Sequence, residues 1–462
     1  MGYVLYNLAL LLVTAVLLPY VAVMTIAKSR HHGWRERFGF LPKLPRERPV
    51  VWIHGVSVGE ILAAQPVIEA LMESPRDPQI VREVPSAPAT RERPFRLVLS
   101  TVTETGQQIA RQRYGSTAVI VRFPVDLCFS VARALERLHP SLVLILETEI
   151  WPNFLRECSR RGIPVLLVNG RLSERSFRRY RWIRPFMKRV LENFRLLLMQ
   201  SEEDARRIRE LGASAARIHV VGNVKWDARP PADEAAKAEE LARYLGFSTE
   251  RPLIVAGSTA PGEEALILRA FEILRTDHAE LRATRLLIAP RRPERFDDVE
   301  NLLRASGWRF LRRTRATDPE TAAPADVILL DTIGELAAVY RWAHVVVIGG
   351  SFFASLAHNV IEPLMRGACV IVGPRYSDPN FPAYAACVWR ISAPVPQPLA
   401  EDAREALARA LAHALGQLLL NAELRARFYE AARAFLARHR GAAERVRRHL
   451  EPFLIEAMTR NV

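Results

Sequence analysis

Short apolar runs alternate with helical stretches along most of this chain, and that rhythm restricts it to layered α/β folds with parallel strands. Candidate strands are Val50–His54, Leu97–Ser100, Ala118–Arg122, Leu142–Leu146, Val165–Val168, Leu196–Met199 and Ile218–Val221. A second series follows at Leu253–Ala256, Arg285–Ala289, Val327–Leu330, Val345–Ile348, Cys369–Val372 and Cys387–Ile391. At 462 residues the chain exceeds one ordinary core, so two domains are expected. The stretch from Asp227 to Arg251 holds a double proline and a charged helix, the marks of a junction. The expected division is 31–228, a linker over 229–250, 251–430, and a helical Arg-rich tail over 431–462. The fold class is thus two doubly wound, Rossmann-like domains facing a cleft, with ligands at the strands' carboxyl ends. Residues Ser74 to Arg93, rich in prolines and charges, read as a surface insertion.

The N-terminus adds a different element. Gly2 to Ala27 carries no charged residue and is long enough to span a bilayer. No basic region precedes it and no small-residue cleavage site follows, which argues against a removed signal peptide. Residues 1–30 are therefore expected to form a hydrophobic membrane-anchor helix. Lys28, Arg30, Arg35 and Arg37 come next, and the positive-inside rule places the remainder in the cytoplasm. Pro19 offers the alternative of a bent segment lying in one leaflet. The excess of 65 Lys+Arg over 50 Asp+Glu points to a polyanionic partner. The cysteines Cys128, Cys158, Cys369 and Cys387 are scattered, as small core residues in a reducing compartment would be.

Several strand-to-helix turns carry groups with chemistry. VVWIHGVSVGE ends a strand and places Glu60 in the first turn of the next helix, where the helix dipole favours its ionised form. That is the posture of a general base, and equally that of a solvated Glu stabilising its own helix. Glu147 and Glu149 stand at another strand's carboxyl end, suited to acid/base or hydroxyl-binding work or to a structural pairing with Arg171. Lys225 stands at the domain junction, where a leaving phosphate needs a cation. In the second series, Ser258 and Thr259 lead through a small-residue turn into a helix, and Pro290 and Arg291 leave the following strand. Backbone N–H groups and a guanidinium there suit a phosphate. Ile333 and Gly334 lie on a further strand-to-helix turn. Asn359 can cap a helix on which Glu362 stands ready to accept ribose hydroxyls.

In order along the chain, WIHGVSVGE, STVTETG, ETEIWPN, NGRLSERS, GNVKWD, AGSTAPGEE, IAPRRPERF, DTIGELAAVY and HNVIEP closely resemble the 3-deoxy-D-manno-octulosonic acid (Kdo) transferases. The resemblance runs from about Arg35 to Pro374. It implies a GT-B glycosyltransferase with an N-terminal acceptor-binding domain and a C-terminal CMP-sugar-binding domain. It also implies inverting transfer of Kdo from CMP-Kdo to a lipid A precursor (lipid IVA), on the cytoplasmic face of the inner membrane, with no catalytic metal and no cofactor. Carried onto this sequence, the base is Glu60, the junction lysine Lys225, the nucleotide contacts Pro290 and Arg291, and the helix-start pair Asn359 and Glu362. Ala260 and Arg292 stand where the family usually shows histidines, and Leu356 and Ala357 where it shows glycines. Lost glycines restrict close backbone approach, which moves the weight of nucleotide binding to Asn359 and Glu362.

With no Asp-x-Asp pattern at a suitable strand end, the leaving phosphate is expected to meet fixed protein charge. The segment Arg171–Arg189, with Phe177, Tyr180, Trp182 and Phe186 among basic residues, reads either as an anionic-membrane-facing element or as a basic helix packing its aromatics inward. Alternatives are a GT-B transferase using a UDP-sugar, a nucleotide-sugar epimerase, and a catalytically impaired membrane-tethered binding protein. No nucleic-acid reader motif is present, so no nucleic-acid partner is expected.

Overall fold

The structure, a computed structural model, describes residues 2–27, 33–72, 94–231, 233–316, 325–354, 358–378, 380–392 and 400–459, the first helix's side chains over 2–16. The expected insertion Ser74–Arg93 lies outside the described residues, as do Lys28, Arg30, Leu356 and Ala357. The chain forms two compact units: Met1–Arg229 with His439–Val462, and Pro230–Arg438.

Unit 1 is built on β1 (Val50–His54), β2 (Arg96–Thr101), β3 (Val119–Arg122), β4 (Pro140–Leu146), β5 (Val165–Gly170), β6 (Leu196–Met199) and β7 (Ile218–Val220). All pair in parallel, in the order β3-β2-β1-β4-β5-β6-β7. Every residue of β1 is buried. Val50 and Trp52 enter one core with Phe123, Phe154 and Phe194, while Val51 and Ile53 enter the other with Leu99, Leu144 and Val446. Burial on both faces is why this strand carries no polar alternation. Chain direction across the sheet reverses between β1 and β4, so loops leaving these two strands part at the carboxyl edge and open a crevice there.

Unit 2 repeats the plan with β8 (Leu253–Thr259), β9 (Arg285–Pro290), β10 (Phe310–Arg312), β11 (Val327–Leu329), β12 (Val345–Ile348), β13 (Cys369–Val372) and β14 (Val388–Arg390). Their order is β10-β11-β9-β8-β12-β13-β14, again parallel, with the reversal between β8 and β12. Helices Glu263–Asp277 and Glu401–Leu420 bury Ile267, Phe271, Leu274, Leu407, Leu411 and Leu415 in its core.

The division differs from the expected boundaries at two places. The segment expected as a linker holds a helix, Glu234–Leu245, belonging to unit 2. Glu234 makes a buried ion pair with Arg366, and the Trp342 indole donates to the Ala238 carbonyl at 3.0 Å. The tail expected as one element is shared: helix Ala442–Thr459 returns to unit 1 and buries Val446, Leu450 and Leu454 under its sheet. At about 1.5–3 kcal/mol per buried aliphatic side chain, those three suffice to hold the helix there. Asp227 fixes its start by accepting from the Gly441 and Ala443 amides, each at 2.6 Å.

Gly2–Ala27 forms one continuous charge-free helix, as expected. The expected membrane-spanning anchor is not shown: among the described residues no helix is long and apolar enough to cross a membrane. The first turns of this helix dock on unit 1. Tyr6 donates to Asp126 at 2.8 Å, and the Asn7 and Asn153 amides exchange hydrogen bonds of 3.1 and 2.8 Å. The Tyr3 and Tyr6 rings pack on Phe186. Tyr3, Tyr6 and Asn7 share one helix face, a polar edge inside a stretch that reads as uniformly apolar. Val4, Leu5, Leu8, Leu11, Leu12 and Val16 stay exposed on the opposite face.

Candidate functional site

At the carboxyl edge of unit 1, β1 runs through Gly55 into helix Val58–Met72, whose first turn carries Glu60. Its carboxylate folds back to accept the Val56 amide at 2.6 Å and the Ser57 hydroxyl at 3.2 Å. Despite the helix start and these bonds, burial pushes its carboxyl up to about 7, and the Glu147 and Glu149 charges add to the rise. Desolvation there opposes the helix dipole, which favours the ionised form. A carboxyl that titrates near neutrality is matched to proton abstraction from an alcohol.

Glu147 follows β4 in the left-handed region, with φ of +56°. Asn169 at the end of β5 and Ser258 within β8 share that uncommon conformation, with φ of +57° and +58°. Non-glycine residues held there carry strain of order 1–3 kcal/mol, which concentrates at functional sites. Glu147 does not pair with Arg171, as one reading had it; its Oε1 sits 2.5 Å from Lys225 Nζ. Lys225 is thus engaged by a carboxylate of its own unit. Asn169 places that lysine by accepting the Val224 amide at 3.1 Å, and Asn223 accepts the Lys225 amide at 3.0 Å. Glu149 is held above its ordinary value by burial and then by Glu147. Glu147, Thr148, Glu149, Ile150 and Trp151 line a pocket of about 440 Å³, closed on the other side by Arg171, Ser173, Ser176 and Tyr180. Acidic hydroxyl acceptors, a guanidinium and aromatic walls suit a phosphorylated sugar.

Basic segment Arg171–Arg189 splits into two helices, Glu174–Trp182 and Arg184–Leu191. Its aromatics divide between the two readings: Phe177 is core, Tyr180 lines the pocket, and Trp182 is 90 % exposed.

At the carboxyl edge of unit 2, Ser258 and Thr259 end β8 beside Pro290, and the Arg291 amide donates to the Thr259 carbonyl at 3.1 Å. The Arg291 guanidinium lies 3.0 Å from His358 Nδ1. Burial first, then Arg291, lowers His358 to about 4, so it is a neutral partner. The expected cap is not formed: Asn359 accepts the Ile361 amide at 2.9 Å in a turn ahead of helix Ile361–Met365, whose N-cap is Val360; that helix carries Glu362 and begins later than expected. Ile333, 77 % exposed, and Gly334 form the tip of the loop after β11. That loop is braced by Glu335, which accepts from Thr332 at 2.6 Å and pairs with Arg313.

One expectation about this edge is revised. The amides of the small-residue turn do not all point at a ligand, because the buried Glu263 takes the Ala260, Gly350 and Phe352 amides at 2.9, 2.6 and 3.0 Å. An internal carboxylate fills that nest. Glu264 likewise accepts the Thr259 hydroxyl and forms a two-pronged pair with Arg295, leaving Arg291 as the guanidinium directed elsewhere. Gly349 must stay a glycine, since a Cβ there would collide with Thr259 Cα and the Ser258 carbonyl. Sequence reasoning missed Asn169, Glu263 and Asp126. A polar residue closing an apolar strand run was the available signal for Asn169.

Two parallel sheets of this order, each with polar groups at the switch point of its carboxyl edge, define a GT-B-like α/β scaffold. Solved structures with the same fold include a glycosyltransferase from Rickettsia africae, 11% identical with a TM-score of 0.53 over 90% of this chain and 100% of that one. A UDP-GlcNAc 2-epimerase from Neisseria meningitidis is 12% identical, with a TM-score of 0.55 over 88% of this chain and 100% of its own. Residues 32–228 match the family model described as 3-deoxy-D-manno-octulosonic-acid transferase (kdotransferase). The 3-deoxy-D-manno-octulosonic acid transferase of Bordetella pertussis is 34% identical over 90% of both chains. That of Haemophilus influenzae is 30% identical over 97% of this chain and 98% of its own. The chain belongs to the 3-deoxy-D-manno-octulosonic acid transferase family, and is a glycosyltransferase.

Proposed function

We propose that this enzyme transfers Kdo with inversion from CMP-Kdo to a lipid A precursor such as lipid IVA. Glu60 takes the proton of an acceptor hydroxyl as that oxygen attacks the anomeric carbon of Kdo, and CMP departs with the bonding electron pair. Unit 1 binds the acceptor, with Glu147, Glu149 and Arg171 around its sugar and phosphate groups. Lys225 holds Glu147 in place. Unit 2 binds the donor, with Arg291 at the phosphate, Asn359 and Glu362 at the ribose, and Ser258, Thr259, Pro290, Ile333 and Gly334 around the nucleotide. The reading is carried by one observation: a family likeness over nearly the whole chain brings with it a half-buried carboxylate, held by the Val56 amide and the Ser57 hydroxyl, at the switch point of the first sheet.

The enzyme works on the cytoplasmic face of the inner membrane, with its first helix lying in one leaflet. The support is the helix's exposed apolar face and Trp182, beside the basic helices Glu174–Trp182 and Arg184–Leu191. Purified protein supplied with CMP-Kdo made in situ and a tetraacylated lipid A precursor is expected to give a product heavier by whole Kdo units. Mass spectra without such a product, or equal turnover with a UDP-sugar, would overturn the assignment.

A further inference from the structure

Asp126 and Asn153 are almost fully buried, yet neither belongs to the reacting groups. Asp126 accepts the Asn153 and Phe154 amides at 3.0 and 2.8 Å, so it satisfies the open amides at the start of helix Pro152–Arg160. The Asn153 side chain donates back to the Asp126 carbonyl at 2.6 Å. Into this pair comes the N-terminal helix: Tyr6 donates to Asp126, and Asn7 trades two amide hydrogen bonds with Asn153. The helix so pinned begins directly after Glu147–Trp151, the segment that forms one wall of the 440 Å³ pocket. Tyr3 extends the same support, packing into the core that also receives Ile150, Trp151, Tyr180 and Phe186, with Arg156 stacked 4.6 Å over its ring.

Resting on the reading of that pocket as the acceptor site, we infer that Tyr6 and Asn7 are positioning residues: they latch the N-terminal helix to Asp126 and Asn153 and so hold the acceptor-binding wall in register. A helix needed only to grip a bilayer has no use for a half-buried, reciprocal amide pair. The pair is costly to bury unless completed on both sides, which ties the wall's geometry to docking of the helix. Membrane attachment and acceptor recognition then share one element, and the lipid substrate meets a formed pocket only where that element is seated.

The test uses the full chain in detergent micelles. Asn7→Leu removes the amide pair while making the helix more apolar, so sedimentation with membranes is expected to stay at the parent level. The acceptor KM is expected to rise about tenfold, as loss of two half-buried hydrogen bonds implies, with the CMP-Kdo KM unchanged. Tyr6→Phe, which loses a single hydroxyl, is expected to move in the same direction by less and serves if Asn7→Leu folds poorly. Amide hydrogen exchange over 147–154 reads the same coupling without any substrate, and is expected to quicken in both variants while the Gly349–Phe353 segment is unaffected. Unchanged acceptor KM and unchanged exchange, or an equal rise in both KM values, would overturn the latch. A parent protein that transfers no Kdo while its variants still loosen 147–154 would instead overturn the proposed function and leave the latch standing.

Discussion

Lowering the pH should silence this enzyme well above the range where ordinary carboxylates titrate. Burial holds Glu60 at about 7 against an ordinary value of 4.5, with Glu147 and Glu149 adding to the rise. At pH 6 about one molecule in ten then carries an ionised base, and at pH 5 about one in a hundred. The transfer rate at saturating donor and acceptor is therefore expected to fall about tenfold from pH 8 to pH 6, and about tenfold again by pH 5. Removing one like charge by Glu149→Gln should shift the midpoint down by on the order of half a unit. The same rise has a stability counterpart. A carboxyl raised on folding contributes stability that is full below its unfolded value and lost as pH climbs through about 7. Glu60→Gln is thus expected to be more stable than the parent at pH 8, by about 2 kcal/mol after discounting for partial exposure, and no more stable at pH 4. Stopped-time transfer assays and urea melts at several pH values measure both. A rate that is flat from pH 8 to pH 5.5, or a midpoint that rises in Glu149→Gln, would refute the reasoning.

Other outcomes follow from individual contacts. Arg291→Ala should raise the CMP-Kdo KM about tenfold or more and leave the acceptor KM alone, checked by initial rates with each substrate varied. Arg295→Met strands the buried Glu264 carboxylate and should cost about 3–5 kcal/mol in a denaturant titration. Lys225→Met leaves Glu147 without its cation and should move the acid limb of the rate profile upward, the opposite direction to Glu149→Gln. Treatment with EDTA is expected to leave the transfer rate within about twofold, since protein charge is assigned the leaving phosphate.

Much of the architecture was legible because each buried strand is a short apolar run with a turn behind it. Val50–His54 and Val345–Ile348 begin and end where the pattern says. Phe310–Arg312 escaped because it is three residues long and ends in an arginine that pairs with Asp331, giving no apolar run to notice. The C-terminal helix shows a different limit. Its apolar stripe announces that a face is buried but not which sheet receives it; the structure shows Val446, Leu450 and Leu454 under the unit 1 sheet and Asp227 capping the helix start. Strand-end position was enough to place Glu60, Glu147 and Arg291 at the carboxyl edges of the two sheets. Their partners were not, because Lys225 and Glu147 are distant in sequence, and the nest-filling role of Glu263 depends on loops converging from two strands. The polar edge of the first helix was present at helical spacing in Tyr3, Tyr6 and Asn7, yet an absence of charge alone hides such an edge.

Replacing Glu60 by Gln tests the central claim most directly, because the swap keeps the shape and removes only the basic oxygen. With transfer followed by product mass and CMP binding by calorimetry on the same sample, turnover is expected to fall about 10²–10⁴-fold while the nucleotide still binds as in the parent. Turnover within a few-fold of the parent would contradict the assignment of Glu60 as the base.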